Sequence, residues 1–226
     1  MAADPRTGTG PRDRFRAQVQ QEVKTAALRQ LAEGGPEALS LNAIAKQLGM
    51  TGPALYRYFA NRDSLLTELV VDAYGDLAST LRRTAEACTA DAVTRLTELV
   101  RAYRLWALAE PHRYRLLFRA PLQGYDAQST SLVEASQPAM TVLLDAVSAL
   151  AEPGTRVPED AAAQFGEWRE RHGFEDTSEA VAVRSTMLWA HLHGLVGLEI
   201  EGNFTSMGID PSFLYETEVK DFVRCL

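Results

Sequence analysis

The chain has 226 residues, of which 46% are hydrophobic and 23% charged, and its formal net charge is −7. That composition suits a folded protein with a sizeable core and excludes a disordered polyelectrolyte. No apolar run is long enough to span a bilayer, the N-terminus lacks the apolar stretch of a secretion signal, and Cys88 and Cys225 are too few for a disulfide framework, so a cytoplasmic protein with free thiols is expected. The charge is unevenly spread. Residues 1–62 hold nine basic side chains against five acidic ones, a balance of +4, which leaves −11 for residues 63–226. A positive head on an acidic body fits a nucleic-acid-binding end and a separate end with another task.

In chain order, residues 1–13 form a Pro/Gly-rich arm. Arg6, Arg12, Arg14 and Arg16 could reach a minor groove or a phosphate backbone, or stay solvated in the case of Arg6. A first helix is predicted over residues 14–33, with Phe15, Val19, Val23, Ala26, Ala27 and Leu31 on its buried face. Gly34-Gly35-Pro36 ends it. Ser40 is an N-cap for a short helix whose apolar face is Leu41, Ile44, Ala45 and Leu48. Gly49 suits the left-handed position that ends a helix. Thr51 caps the next short helix, and Pro53 sits in its first turn, where a missing N–H costs little. Leu55 and Phe59 point back to the same small core. Gly52, Ala54, Tyr56, Arg57 and Tyr58 are left off that core. Two short helices joined by a tight turn, the second with aromatics and an arginine outside, suit a major groove. The same pattern taken alone also fits two core helices of an all-α enzyme.

The run Leu-Tyr-Arg-Tyr-Phe-Ala-Asn-Arg-Asp-Ser-Leu-Leu, residues 55–66, resembles the TetR family of bacterial transcriptional regulators. The likeness extends over about residues 15–69. It implies an all-α fold: an N-terminal three-helix helix-turn-helix head over residues 1–62, and a C-terminal helical ligand-binding and dimerisation bundle over 63–226. It also implies roles for single residues. Tyr56 contacts phosphate, Thr51 contacts phosphate or base, and Arg62 reaches the backbone. Gly52, Ala54, Arg57 and Tyr58 face bases, and Asn42 and Pro53 belong to the same DNA-binding surface. Direct readout is sparse, because Gly52 and Ala54 carry no polar side chain.

The body reads as further helices. One begins near residues 61–63, where Asn61 is a cap and Asp63 suits the positive dipole end. Its stripe Leu65, Leu66, Leu69, Val70, Ala73, Leu77 and Leu81 runs on to about residue 88, with no linker between head and body. Others follow over 91–110, 112–118, up to about 150, 158–171, 178–201 and 211–225. Residues 119–131 form a loop, and Pro153, Gly154 and Pro158 mark another. The segments Trp106 to Phe118 and Trp189 to Gly194 resemble a regulatory-domain subgroup of the same family.

No catalytic or metal constellation is present. His191 and His193 are two apart, so their rings diverge on a helix and cannot share a metal. Of the two, His191 is expected to be buried near a pocket and His193 to lie at an interface or surface. Glu199 and Glu201 diverge in the same way, and no phosphate loop or nucleophile elbow occurs. No cofactor is expected. A cavity for a small, mostly apolar effector is expected from Tyr103, Trp106, Phe118, Met140, Leu144, Trp168, Met187 and His191, with Trp189 as a further aromatic; the same side chains could simply fill a core. Helix 178–201 is apolar around much of its surface. Met187, Leu195 and Leu198, with Phe213 and Phe222 of the last helix, are the expected homodimer interface.

The expected function is a repressor that binds a palindromic DNA operator as a homodimer and is released by a small molecule. The alternatives are a regulator controlled by a protein partner, and a helical enzyme. No membrane partner is expected.

Overall fold

The computed structural model describes residues 10–118, 130–151 and 157–225. Arg6 of the arm, most of the 119–131 loop, and Pro153 and Gly154 lie outside them. The described chain is all-α and divides after Val70 into two compact units.

The first unit opens with α1 (Pro11–Gly34), which starts before the expected Arg14. Pro11 pre-sets the first turn, and the Gly10 N–H donates to Asp13 Oδ2 at 3.2 Å. Val19, Val23, Ala26, Ala27 and Leu31 form its buried stripe. Phe15 does not join them: it is 62% exposed, one turn beyond the last residue the small core can cover. Gly35, at φ 70°, closes the helix through its N–H to the Leu31 carbonyl. The Ser40 N–H then donates to Gln30 Oε1 at 2.8 Å, tying the connecting turn back to α1.

α2 (Leu41–Gln47) and α3 (Gly52–Tyr56) are capped as their sequence dictates. Ser40 Oγ accepts from the Ala43 N–H at 3.3 Å, and Thr51 Oγ1 accepts from the Ala54 N–H at 3.4 Å. Gly49 at φ 66° makes the turn between them. Ile44 and Leu55 are fully buried and Phe59 almost so, each contributing about 1.5–3 kcal/mol. α4 (Arg62–Ala87) starts from a reciprocal cap, in which Asn61 Oδ1 accepts the Ser64 N–H at 2.8 Å and Ser64 Oγ accepts the Asn61 N–H at 3.1 Å. The division at Val70 falls inside this unbroken helix.

The second unit holds the rest of α4, then α5 (Ala92–Ala109), α6 (Pro111–Phe118), α7 (Thr130–Ser148), α8 (Glu159–His172), α9 (Glu179–Ile200), the single turn α10 (Asn203–Ser206) and α11 (Ser212–Arg224). Asp91 and Ser178 cap α5 and α9. The core runs through Leu77, Leu96, Val100, Leu144, Val147, Leu188 and Val196. A polar knot pins three helices together. Arg104 of α5 donates to Glu199 of α9 at 2.7 and 2.9 Å, and the Tyr215 hydroxyl of α11 donates to the same carboxylate at 2.8 Å. The Arg104 guanidinium also lies 4.6 Å from the centre of the Tyr215 ring. α10 was not expected, nor was the brief 3-10 turn at Pro36–Ala38; both are too short to carry a periodic signal.

Candidate nucleic-acid interface and effector cavity

The interface candidate is the outer face of α3. Leu55 and Phe59 turn inward and leave Thr51, Pro53, Tyr56 and Arg57 exposed. Gly52, Ala54 and Tyr58 are half-buried. Asn42 is exposed on α2 beside the start of α3: a Cβ placed on Gly52 would stand 3.5 Å from Asn42 Oδ1. Arg57 follows the last residue of α3, so its guanidinium leaves from the helix end. Arg16 of α1 lies over the Tyr58 ring, 5.7 Å from its centre, and so belongs to the same surface. Lys24, by contrast, pairs with Glu68 at 3.0 Å. Arg62 is half-buried at the start of α4.

The second site lies within the body. A cavity of about 710 Å³ is lined by α4, α5, α7, α8 and α9 with the end of α6. Its α4 and α5 walls carry Leu77, Leu81, Leu96, Leu99 and Val100 together with Tyr74 and Tyr103; its α8 side is aromatic, through Phe165, Trp168 and His172. Trp189 stacks on His193, with ring centres 5.7 Å apart, and Phe118 packs 4.7 Å from His193. Burial pushes the Tyr103 and Tyr74 hydroxyls above the ordinary tyrosine range, so both stay protonated. The formal charges in the wall are Glu167 and Arg171, 3.9 Å apart and largely exposed.

Of the residues expected around a cavity, the structure gathers Tyr103, Phe118, Met140, Trp168 and Trp189. It turns four others away. Leu144 packs in the core, and Trp106 does too, with its indole N–H donating to Asp76 at 2.9 Å. Met187 is 54% exposed, and His191 is exposed, with its Nδ1 2.8 Å from Glu218. The expectation for the two histidines is reversed. Two residues turn an α-helix through about 200°, so Trp189 and His193 cannot share a face with Met187 and His191. Tyr74, Leu77 and Leu81 were missing from the expected lining. The apolar stripe of α4, which outruns the small head core, was the available signal.

Met187 and Leu198 are exposed on α9, Phe213 is exposed on α11, and Leu195 and Phe222 are half-buried. Among the described residues no three His, Cys, Asp or Glu side chains could hold a metal, and no helix is long and apolar enough to cross a membrane.

A helix-turn-helix unit in one chain with an all-helical body is the build of a transcriptional regulator. The family model for bacterial regulatory proteins of the tetR family matches residues 25–69, and the one for the tetracyclin repressor-like C-terminal domain matches residues 96–222. The chain belongs to the TetR family. It is 34% identical over 225 residues to the HTH-type transcriptional regulator Rv1816 of Mycobacterium tuberculosis, with 96% of each chain covered. The crystal structure of regulatory protein SCO4313 is 40% identical, with a TM-score of 0.78 over 94% of this chain and 98% of that one. FadR of Bacillus subtilis, solved in complex with stearoyl-CoA, shares the fold at 15% identity, with a TM-score of 0.63 over 90% and 97% of the two chains. These relatives are regulators and not enzymes, and the chain is a DNA-binding transcriptional regulator.

Proposed function

We propose that the chain is a repressor that binds a palindromic operator as a homodimer and leaves it when a small, mostly apolar effector fills the body cavity. Residues 1–62 read DNA, and residues 63–226 hold the effector and the partner subunit. The cavity of about 710 Å³ carries this reading, because it lies within the range of small-molecule sites and is mostly apolar. FadR, which has the same fold, is solved in complex with stearoyl-CoA, whose long acyl chain is apolar, and this supports an effector with a large apolar part.

In this scheme Arg57 reads a guanine edge, Tyr56 and Arg62 hold phosphate, Thr51 contacts phosphate or base, and Asn42, Gly52, Pro53, Ala54 and Tyr58 complete the contact surface. Met187, Leu195 and Leu198 of α9 pack with Phe213 and Phe222 of α11 against their two-fold mates in a four-helix bundle. Exposed apolar side chains on both helices support that assignment. The effector acts by preferring a dimer state whose recognition helices do not match the operator. A preference of about 3 kcal/mol lowers operator affinity roughly a hundredfold, and DNA must then weaken the effector by the same factor. Titrating an inducer into the free dimer and into the operator complex tests this. Equal affinities in the two titrations exclude that compound as an inducer, and a hydrophobic library with no binder at all replaces the effector with a protein partner.

A further inference from the structure

Four polar side chains of the cavity wall share one property: their donor protons are spent on the protein's own backbone. The Ser136 hydroxyl donates to the Val133 carbonyl at 2.8 Å, and the Thr186 hydroxyl donates to the Ala182 carbonyl at 2.9 Å. The Gln137 amide donates to the His172 carbonyl at 2.7 Å. The His172 ring places Nδ1 2.8 Å from the Trp168 carbonyl. A carbonyl oxygen only accepts, so Nδ1 carries the proton of the neutral ring, and the nitrogen of the Gln137 amide is the end turned to α8. What these four groups still offer is lone pairs.

Two of the acceptors lie where α7 meets α8. They are Nε2 of His172 and Oε1 of Gln137, and the Gln137 amide joins the two helices there. Neither atom has a partner among the described residues, and neither is sealed from solvent. Beside them is a platform of rings that also lines the cavity. Trp168 stacks on His172 with ring centres 5.2 Å apart and planes 27° apart, and Phe165 and Phe174 pack against Trp168 at 6.1 and 5.3 Å.

The rest of the wall sets the charge of a ligand. Glu167 and Arg171 face each other, so neither a cation nor an anion meets an uncompensated partner. The Tyr103 hydroxyl is sealed from solvent, and only its ring meets the cavity. Tyr74 and Gln164 can donate or accept. A carboxylate at the α7–α8 junction would set lone pairs against lone pairs, whereas a neutral O–H or N–H group fits both acceptors.

We propose that the effector is a neutral molecule with a ring that lies on Trp168 and an O–H or N–H group that donates to His172 Nε2, with Gln137 Oε1 as the second acceptor beside it. This rests on the effector-binding function proposed above, and it makes His172 the residue that sets effector polarity.

The test compares 2-naphthol, 2-methoxynaphthalene and 2-naphthoate on the full-length protein by equilibrium dialysis at about pH 7.5, above the ordinary histidine range. The three share one ring system, and only the first is a neutral donor. 2-Naphthol binds more tightly than 2-methoxynaphthalene by about two- to tenfold, the worth of one hydrogen bond, and 2-naphthoate binds most weakly. H172F keeps a ring and removes the acceptor, so the preference for 2-naphthol disappears while 2-methoxynaphthalene binds within about twofold of its wild-type affinity. H172Q retains part of the preference, because a glutamine oxygen accepts. Q137L reduces it and carries the test if melts show that H172F does not fold. Equal binding of the naphthol and its methyl ether, tightest binding of the naphthoate, or equal weakening of all three by H172F overturns the donor assignment and leaves the effector cavity standing. Binding of none of the three overturns this proposal as well, and the effector-binding function then stands on the reciprocity titration alone.

Discussion

The hydroxyl of Tyr114 stands 2.7 Å from Nδ1 of His193 and donates at 3.0 Å to the carbonyl of the same residue. This joins α6 to α9 where Phe118 and Trp189 line the cavity. Burial holds the His193 imidazole below the ordinary histidine range. A histidine whose folded pKa is depressed stabilises the fold fully above its unfolded pKa of about 6.5 and loses that contribution as pH falls through the folded value. His112 shifts in the same direction, with burial outweighing Glu110. The melting temperature should therefore drop between pH 7.5 and pH 5.5. His193→Gln should shrink that drop, with the His112 part remaining. A drop of unchanged size in the variant removes His193 from the account.

Arg57→Ala should weaken the cognate operator by roughly 1–3 kcal/mol and relax the preference at one base position. Tyr56→Phe and Arg62→Ala should weaken all sequences alike. A panel of base-substituted operators separates the two patterns. Uniform weakening by Arg57→Ala makes it a phosphate contact.

Leu198→Glu places a charge on an exposed apolar position of α9, where the protomer can carry it without unfolding. Analytical ultracentrifugation should show monomers, and operator affinity should fall by about two orders of magnitude once the two heads bind independently. A dimer that survives this change puts the interface elsewhere.

Ala139 lines the cavity from α7 and is half-buried. Ala139→Trp should fill the space the effector needs. Operator binding should persist while induction is lost, as read by a gel-shift titration with inducer. Retained induction assigns the effector to another site.

Gly49→Ala tests the turn between α2 and α3. Nothing lies within 4 Å of an added Cβ, so the cost is purely the φ of 66°. The loss should be about 1 kcal/mol, seen as a lower melting temperature with no change in the contacts of α3. An unchanged melting temperature would mean that the turn relaxes freely.

The head was legible because its signals are local. Ser40, Gly49, Thr51 and Asn61 each act within four residues of themselves, and each does what its position in the sequence announced. The body was legible as helices but not as faces. α9 is apolar nearly all round, so periodicity gives no angle, and Met187 and His191 were assigned to the cavity that Trp189 and Leu192 line. Only the packing of α5, α7 and α8 against α9 sets that rotation. Phe15 failed for a similar reason: it continues the stripe of α1, but no partner reaches it. Pro138 inside α7 went unread because the helix continues past it.

The bare outer side of α3 bears on how such a regulator diverges after gene duplication. Gly52 is in ordinary helical conformation and not the left-handed region, and a side chain there would meet Asn42 only at van der Waals distance. Ala54 is likewise half-open. The side chains that hold α3 to the core are other residues, Leu55 in the same short helix and Phe59 just beyond it, both buried. A duplicated copy could therefore acquire hydrogen-bonding groups at these two sites and move to a new promoter, while its core, caps and body stay as inherited.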